Sequence, residues 1–196
     1  MRLWVVIFLL WLPWQGALAA DLLADIGARL VKTEITEGRF RQEKTIKVLK
    51  KPLISTGTFT YHRKRGVIWQ TLTPVPSLLL VNQTRLLTTQ GEQALPPAFG
   101  RVFTAMFGGD LQAMNEGFAI AGTNGQGAWQ LQLQPKDAML QKIITGMQLS
   151  GDKELQRLDI REANGNLTRI IFEHITHPEA LTPTQEADFE RLSSPR

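Results

Sequence analysis

At 196 residues and 43% hydrophobic content, the chain is long enough to bury one core as a single domain. It has no cysteine, which excludes disulfides, thiolate catalysis, cysteine metal sites and a lipid-modified cysteine at the N-terminus. The formal net charge of +4 is mild, and the basic residues concentrate between Arg39 and Lys51 and at Arg63–Arg65. Most of these read as a solvated strand face, and an anionic lipid headgroup or an acidic protein suits the rest better than nucleic acid.

The chain opens like an export signal. Arg2 is a short positive region, Leu3 to Leu12 is an unbroken apolar run, and Ala17-Leu18-Ala19 is a small-x-small cleavage pattern. The apolar run is too short to span a bilayer comfortably. Residues 1–19 are therefore expected to be removed, leaving 20–196 as one soluble periplasmic domain. Without Arg2 the 22 basic residues become 21 against 18 acidic ones, a net charge of +3.

Asp21 to Glu37 reads as a helix, because Leu22, Leu23, Ile26, Leu30 and Ile35 recur near the helical period before Gly38. Strands follow in quick succession: Gly38–Val48, Ile54–Tyr61, Val67–Leu72, Ser77–Val81 and Arg85–Thr89, divided by Pro52, a basic turn at Arg63–Gly66, Pro74-Val75-Pro76 and Asn82-Gln83-Thr84. Gly91 to Pro97 reads as a loop. Phe99, Val102, Phe103, Met106 and Phe107 then fall on one face of a short helix, stopped by Gly108-Gly109, and Asp110 caps a further turn.

The second half is mostly strands. Gly117–Ala121 precedes Trp129–Gln134, where Trp129, Leu131 and Leu133 alternate with glutamines as in a half-buried antiparallel strand. Ile143–Leu149, Leu155–Glu162 and Leu167–Ile175 follow, the last two joined by the hairpin signal Asn164-Gly165. A terminal helix capped by Thr184 closes the chain. About ten closely spaced strands with few helices predict a mainly β fold, an incomplete antiparallel barrel with helices over its open side.

Residues 38–175 resemble the outer-membrane lipoprotein carriers, the LolA/LolB-like group. The resemblance rests on Phe40-Arg41-Gln42, on Ser55-Thr56-Gly57-Thr58-Phe59, and on Arg63, Trp69 and Pro74 at the family's spacing. It continues through Phe107-Gly-Gly-Asp-Leu-Gln-Ala, Trp129-Gln-Leu, Gln134-Pro-Lys-Asp and the Asn164–Phe172 hairpin. It implies a helical lid over a hydrophobic cavity and a monomeric shuttle. Such a shuttle takes an acylated lipoprotein or other lipid from an inner-membrane exporter to an outer-membrane acceptor. It also implies that Arg63 holds the lid closed. Where lipoprotein carriers have Arg-Pro, this chain has Arg63-Lys64, and Asn82-Gln83 replaces their Asp-Gly turn. Some relatives look like carriers of other envelope lipids, so both cargo classes stand.

Arg63 has two readings, a latch or headgroup contact and a solvated turn charge. Phe40, Phe59, Tyr61, Trp69 and Trp129, with the helix face Phe99, Val102, Phe103, Met106 and Phe107, are the candidates for lipid contact. Each also has a reading as plain core. Glu173-His174 and His177 imitate a metal site, but residues three apart on a strand do not share a face, so no metal is expected. No serine elbow, phosphate loop or HExxH occurs, and no carboxylate pair stands out. Neither an enzyme nor a cofactor is expected. A non-transporting envelope scaffold with a filled core is the alternative.

Overall fold

The computed structural model describes residues 15–82, 84–89, 91–93 and 97–193, with the side chains of 15–19, 93, 97–101 and 103 excepted. The apolar run of the expected leader lies outside the described residues. Helix α1 spans Gln15–Arg29 and so runs through the expected cleavage point after Ala19.

Eleven strands form one antiparallel sheet: β1 Ile35–Thr45, β2 Leu53–His62, β3 Gly66–Thr73, β4 Ser77–Val81, β5 Leu86–Thr88, β6 Gly91–Gln93, β7 Phe118–Asn124, β8 Trp129–Pro135, β9 Ile144–Gly151, β10 Leu155–Glu162 and β11 Leu167–Thr176. Their order is β6-β5-β4-β3-β2-β1-β11-β10-β9-β8-β7, so β1 pairs with the last strand and the sheet curls without closing. The mainly β, incomplete barrel expected from the sequence is what forms. Helix α2 (Pro97–Gly108) and a 3-10 helix (Leu111–Glu116) connect the two halves, α3 (Ala138–Gln141) lies between β8 and β9, and α4 (Pro183–Ser193) ends the described chain.

Three expectations change. The first helix ends at Arg29, not Glu37, and Ile35 belongs to β1. Ile35 continued the helical period by coincidence, since β1 pairs with β2 already at Ile35↔His62. Gly91–Gln93 is a short edge strand bonded to β5 instead of a loop. The terminal helix is capped by Thr182, not Thr184. Gln185 N–H donates to Thr182 Oγ1 and Thr182 N–H to Gln185 Oε1, with Pro183 in the first helical position. This is a capping box, in which side chain and backbone satisfy each other reciprocally.

The two faces of the sheet differ because side chains alternate across it. Inward go Phe40, Phe59, Tyr61, Trp69, Trp129, Leu131, Leu133, Met147, Leu149, Leu158, Ile170 and Phe172, all buried. All of these but Tyr61, which reaches the cluster through Phe107, merge with Leu23 and Ile26 of α1, Val102, Ala105 and Met106 of α2, and Leu111 and Met114 of the 3-10 helix into one core. Outward, α4 lays Phe189 and Leu192 on Ile68 and Leu80, a separate small cluster on the convex side. Arg65 fixes that helix by bonding Glu186 and lying 5.0 Å over the Phe189 ring. Arg85 Nη1 caps its end at the Leu192 carbonyl, 2.8 Å away.

Candidate lipid-binding interior

Two glycines prepare the inner face. A Cβ on Gly38 would stand 2.6 Å from the Phe59 ring, and one on Gly57 would stand 2.7 Å from the Phe40 ring and 2.0 Å from the Gln70 carbonyl. Glycine leaves slots in which Phe59 and Phe40 lie flat against the neighbouring strand. With the rings down, an aromatic cluster assembles. Phe40 stacks on Trp69 with centroids 3.8 Å apart, and Phe59 stacks on Phe107 of α2 at 4.8 Å. Phe172 meets Phe59 and Phe107 edge-on, each at 5.4 Å. Tyr61 approaches Phe107 at 5.9 Å.

Phe40, Phe59, Tyr61, Trp69, Met106 and Phe107 are thus brought together on one surface, with Val102 buried on the same helix. Trp129 is buried farther round the sheet, its indole N–H donating to the Asp152 carbonyl at 2.7 Å. The side chains of Phe99 and Phe103 lie outside the described residues. The sequence reading missed Phe172, whose ring joins the half-barrel to the helix. Its signal was its place opposite Phe40, which requires knowing that the last strand pairs with the first.

Arg63 stands where β2 turns into β3. Its Nε and Nη2 donate to the Thr33 carbonyl at 3.3 and 3.1 Å, and Nε lies 3.8 Å from the Glu34 carboxylate. It therefore ties the hairpin to the connection between α1 and β1. Beside it opens a hollow of about 270 Å³ walled by Tyr61 and Arg63 on one side and Thr104, Gly108 and Asp110 on the other. Burial pushes the Tyr61 phenol above its ordinary value, against the opposing pull of Arg63. Glu34 and Asp110 add to the upward push.

The described side chains of the inner face pack into one core. A small cavity of about 20 Å³ lies between α1, α2 and the start of β10, lined by Leu30, Met106, Phe107, Leu155 and Ile175 among others. That is room for about one water. The two histidines are not gathered into a metal site. His177 bridges Thr33 Oγ1 at 3.1 Å and Glu154 at 2.5 Å, while His174 sits at a positive φ of 53°.

The described elements thus form an open antiparallel half-barrel with an aromatic inner face under helices. The family model described as outer membrane lipoprotein carrier protein LolA matches residues 31–185, and the chain belongs to that family. Solved structures share the fold. A LolA superfamily protein from Nitrosomonas europaea matches with a TM-score of 0.50 at 8% identity, covering 83% of this chain and 94% of that one. A putative outer membrane lipoprotein-sorting protein domain from Vibrio parahaemolyticus matches with 0.50 at 10%, covering 89% and 97%. A DUF1329 family protein from Desulfovibrio piger matches with 0.52 at 10%, covering 90% and 98%. No curated protein matches the chain.

Proposed function

We propose that this chain is a periplasmic carrier that takes the acyl chains of a lipoprotein or another envelope lipid into its half-barrel and passes them from an inner-membrane exporter to an outer-membrane acceptor. One observation carries the reading: α2 completes the core with side chains that an acyl chain can replace in kind. Val102 and Met106 belong to the core, and Phe107 lies where a ligand would, against Phe59, Tyr61 and Phe172. Opening the helix gives up roughly 5–9 kcal/mol if each side chain is worth about 1.5–3. A chain of roughly twelve methylenes returns about 10 kcal/mol at 0.8 each. The exchange is close to balanced, which suits a carrier that must release its load. Met106, unbranched and adaptable, fits a surface that meets varied shapes.

Arg63 has two parts in this mechanism. It holds the Thr33 carbonyl at the base of α1 in the closed state, and it stands at the hollow beside α2 where a headgroup would emerge. A phosphate or carboxylate there would compete with Glu34 for the guanidinium.

The second reading, a non-transporting scaffold, is favoured by the packing of the described inner-face side chains into one core. Native mass spectrometry of protein purified from its own periplasm separates the two. The carrier retains an acyl ligand or takes one up from added purified lipid. No bound lipid under either condition sinks the carrier reading. Met106→Asp adds the control: a lid variant loses ligand while the barrel stays folded, whereas in a scaffold it simply unfolds the protein.

A further inference from the structure

Among the described residues, the exposed large apolar side chains gather at one end of the sheet. Among the described residues nine are exposed, and all but Val31 lie at one end of the sheet, where β1 turns into β2, β3 into β4 and β8 into β9. The β1–β2 hairpin is the apex. Val48 is 87% exposed at its tip, Leu49, Leu53 and Ile54 follow, and Leu72 and Val75 flank them at the end of β3. The hairpin is tied sideways, with Lys47 N–H donating to Asn166 Oδ1 at 3.1 Å and, one turn on, Ala163 N–H to the Ile143 carbonyl at 2.9 Å. The exposed groups therefore form one continuous rim.

The charge at this end is one-sided. Lys47, Lys50, Lys51 and Lys142 are exposed there, with no carboxylate partner among the described residues. The nearby carboxylates are engaged: Glu162 pairs with Lys44 at 2.7 Å, and Asp137 accepts two backbone N–H groups at the start of α3. Valine and leucine in a tight turn gain nothing from the core and cost solubility. Apolar tips between lysines match one environment well, the boundary of an anionic bilayer. The alkyl groups reach the acyl layer and the ammonium groups stay with the headgroups.

We infer that this end of the sheet docks on the surface of an anionic lipid bilayer, with hairpin residues 46–54 as the inserted tip. The docking does not depend on what the interior carries. A second copy of the chain is a poor occupant, since both rims would present lysines. A projecting tip needs a matching groove in a protein but none in a bilayer.

The test uses chain purified after export, its N-terminus checked by mass because an uncleaved leader would bind bilayers by itself. It is sedimented with vesicles of phosphatidylglycerol and phosphatidylethanolamine, and in parallel with phosphatidylcholine alone. Binding is expected to the anionic vesicles only and to weaken with salt. Lys50→Ser with Lys51→Ser should weaken it about 25-fold, at about fivefold per lysine. Val48→Asn with Leu49→Asn should weaken it at least about tenfold. Arg41→Ser on the convex face should leave it unchanged. Because the chain has no cysteine, Val48→Cys accepts a single polarity-sensitive dye, whose emission should shift to the blue on the anionic vesicles. The inference is overturned by absence of binding to anionic vesicles, or by binding that neither pair alters. It is equally overturned if the pairs abolish only self-association, or only capture of an acidic protein.

Discussion

The smallest decisions in this fold are made by missing atoms. Gly57 faces inward between Phe40 and the Gln70 carbonyl, and the close packing of Phe40 on Trp69 depends on that gap. Gly57→Ala is expected to cost about 3 kcal/mol, the upper end for overpacking, because one of the colliding groups is backbone. Urea unfolding checks it, and a cost within experimental error would mean that the ring moves aside freely. Tyr61 offers a cleaner readout, being the only tyrosine in the chain. Its phenol is held above the ordinary 10.0, chiefly by burial. The folded state therefore binds the proton more tightly than the unfolded state. Tyr61's contribution to stability is intact below pH 10.0 and is lost as pH rises through the higher folded value. Tyrosinate absorbance in folded protein should thus appear at higher pH than in urea-unfolded protein. Coincident titrations would refute the burial.

Asp159, on the convex face, shows the opposite balance. Burial raises its pKa, but hydrogen bonds from Arg157 and Arg169, at 2.6 and 3.0 Å, outweigh burial and hold it below the usual value. The stability this carboxylate contributes is present above pH 3.8 and is lost as pH falls through the depressed folded value.

At the scale of elements, α4 and α2 cover opposite faces of the sheet. Helix α4 has a capping box, an arginine over its aromatic ring and a second arginine at its last turn. Phe189→Ala should cost about 3–5 kcal/mol, because the ring is fully buried between Ile68 and Leu80. Differential denaturation of the wild type and variant measures it. Helix α2 ends on Gly109 at φ 71°, whose N–H returns to the Ala105 carbonyl at 3.0 Å, and Val102, Met106 and Phe107 pack it into the core. On the carrier reading α2 is the element that opens, and elements that move are drawn from the less stable parts of a fold. Hydrogen exchange should therefore find the α2 amides exchanging faster than those of β1, β2 and β11. Bound lipid should slow exchange in the closed joints around Arg63 only if α2 recloses over it. Uniform protection of α2 and the central strands would argue for a static core.

For the whole molecule, the organising contact is β1 on β11, which joins the two halves of the chain side by side. It sets Phe40 opposite Phe172 and turns two meanders into one curved wall around the helices. Alternation, turn residues and the Asn164-Gly165 hairpin made most strands legible in the sequence, because these signals are local. The end of the first helix was not legible, because Ile35 fits both periods and only pairing with His62 decides between them. Gly91–Gln93 has little strand propensity and exists because β5 offers an edge. Thr182 was legible as the cap but was passed over for Thr184: Thr182-Pro183-Thr184-Gln185 carries the capping-box spacing in the sequence itself.

By itself the sequence determined the mainly β class, the apolar faces of β1, β2, β3 and β8, and the family's spacing from Arg63 to Trp69 to Pro74. Each of these follows from neighbours in the chain. The tertiary structure alone decided that β1 lies on β11, that Phe172 completes the aromatic cluster, that Arg63 holds Thr33, and that the exposed apolar groups gather at one rim. These depend on which strands lie side by side, and that is settled by burial of the whole inner face, a sum over residues far apart in sequence.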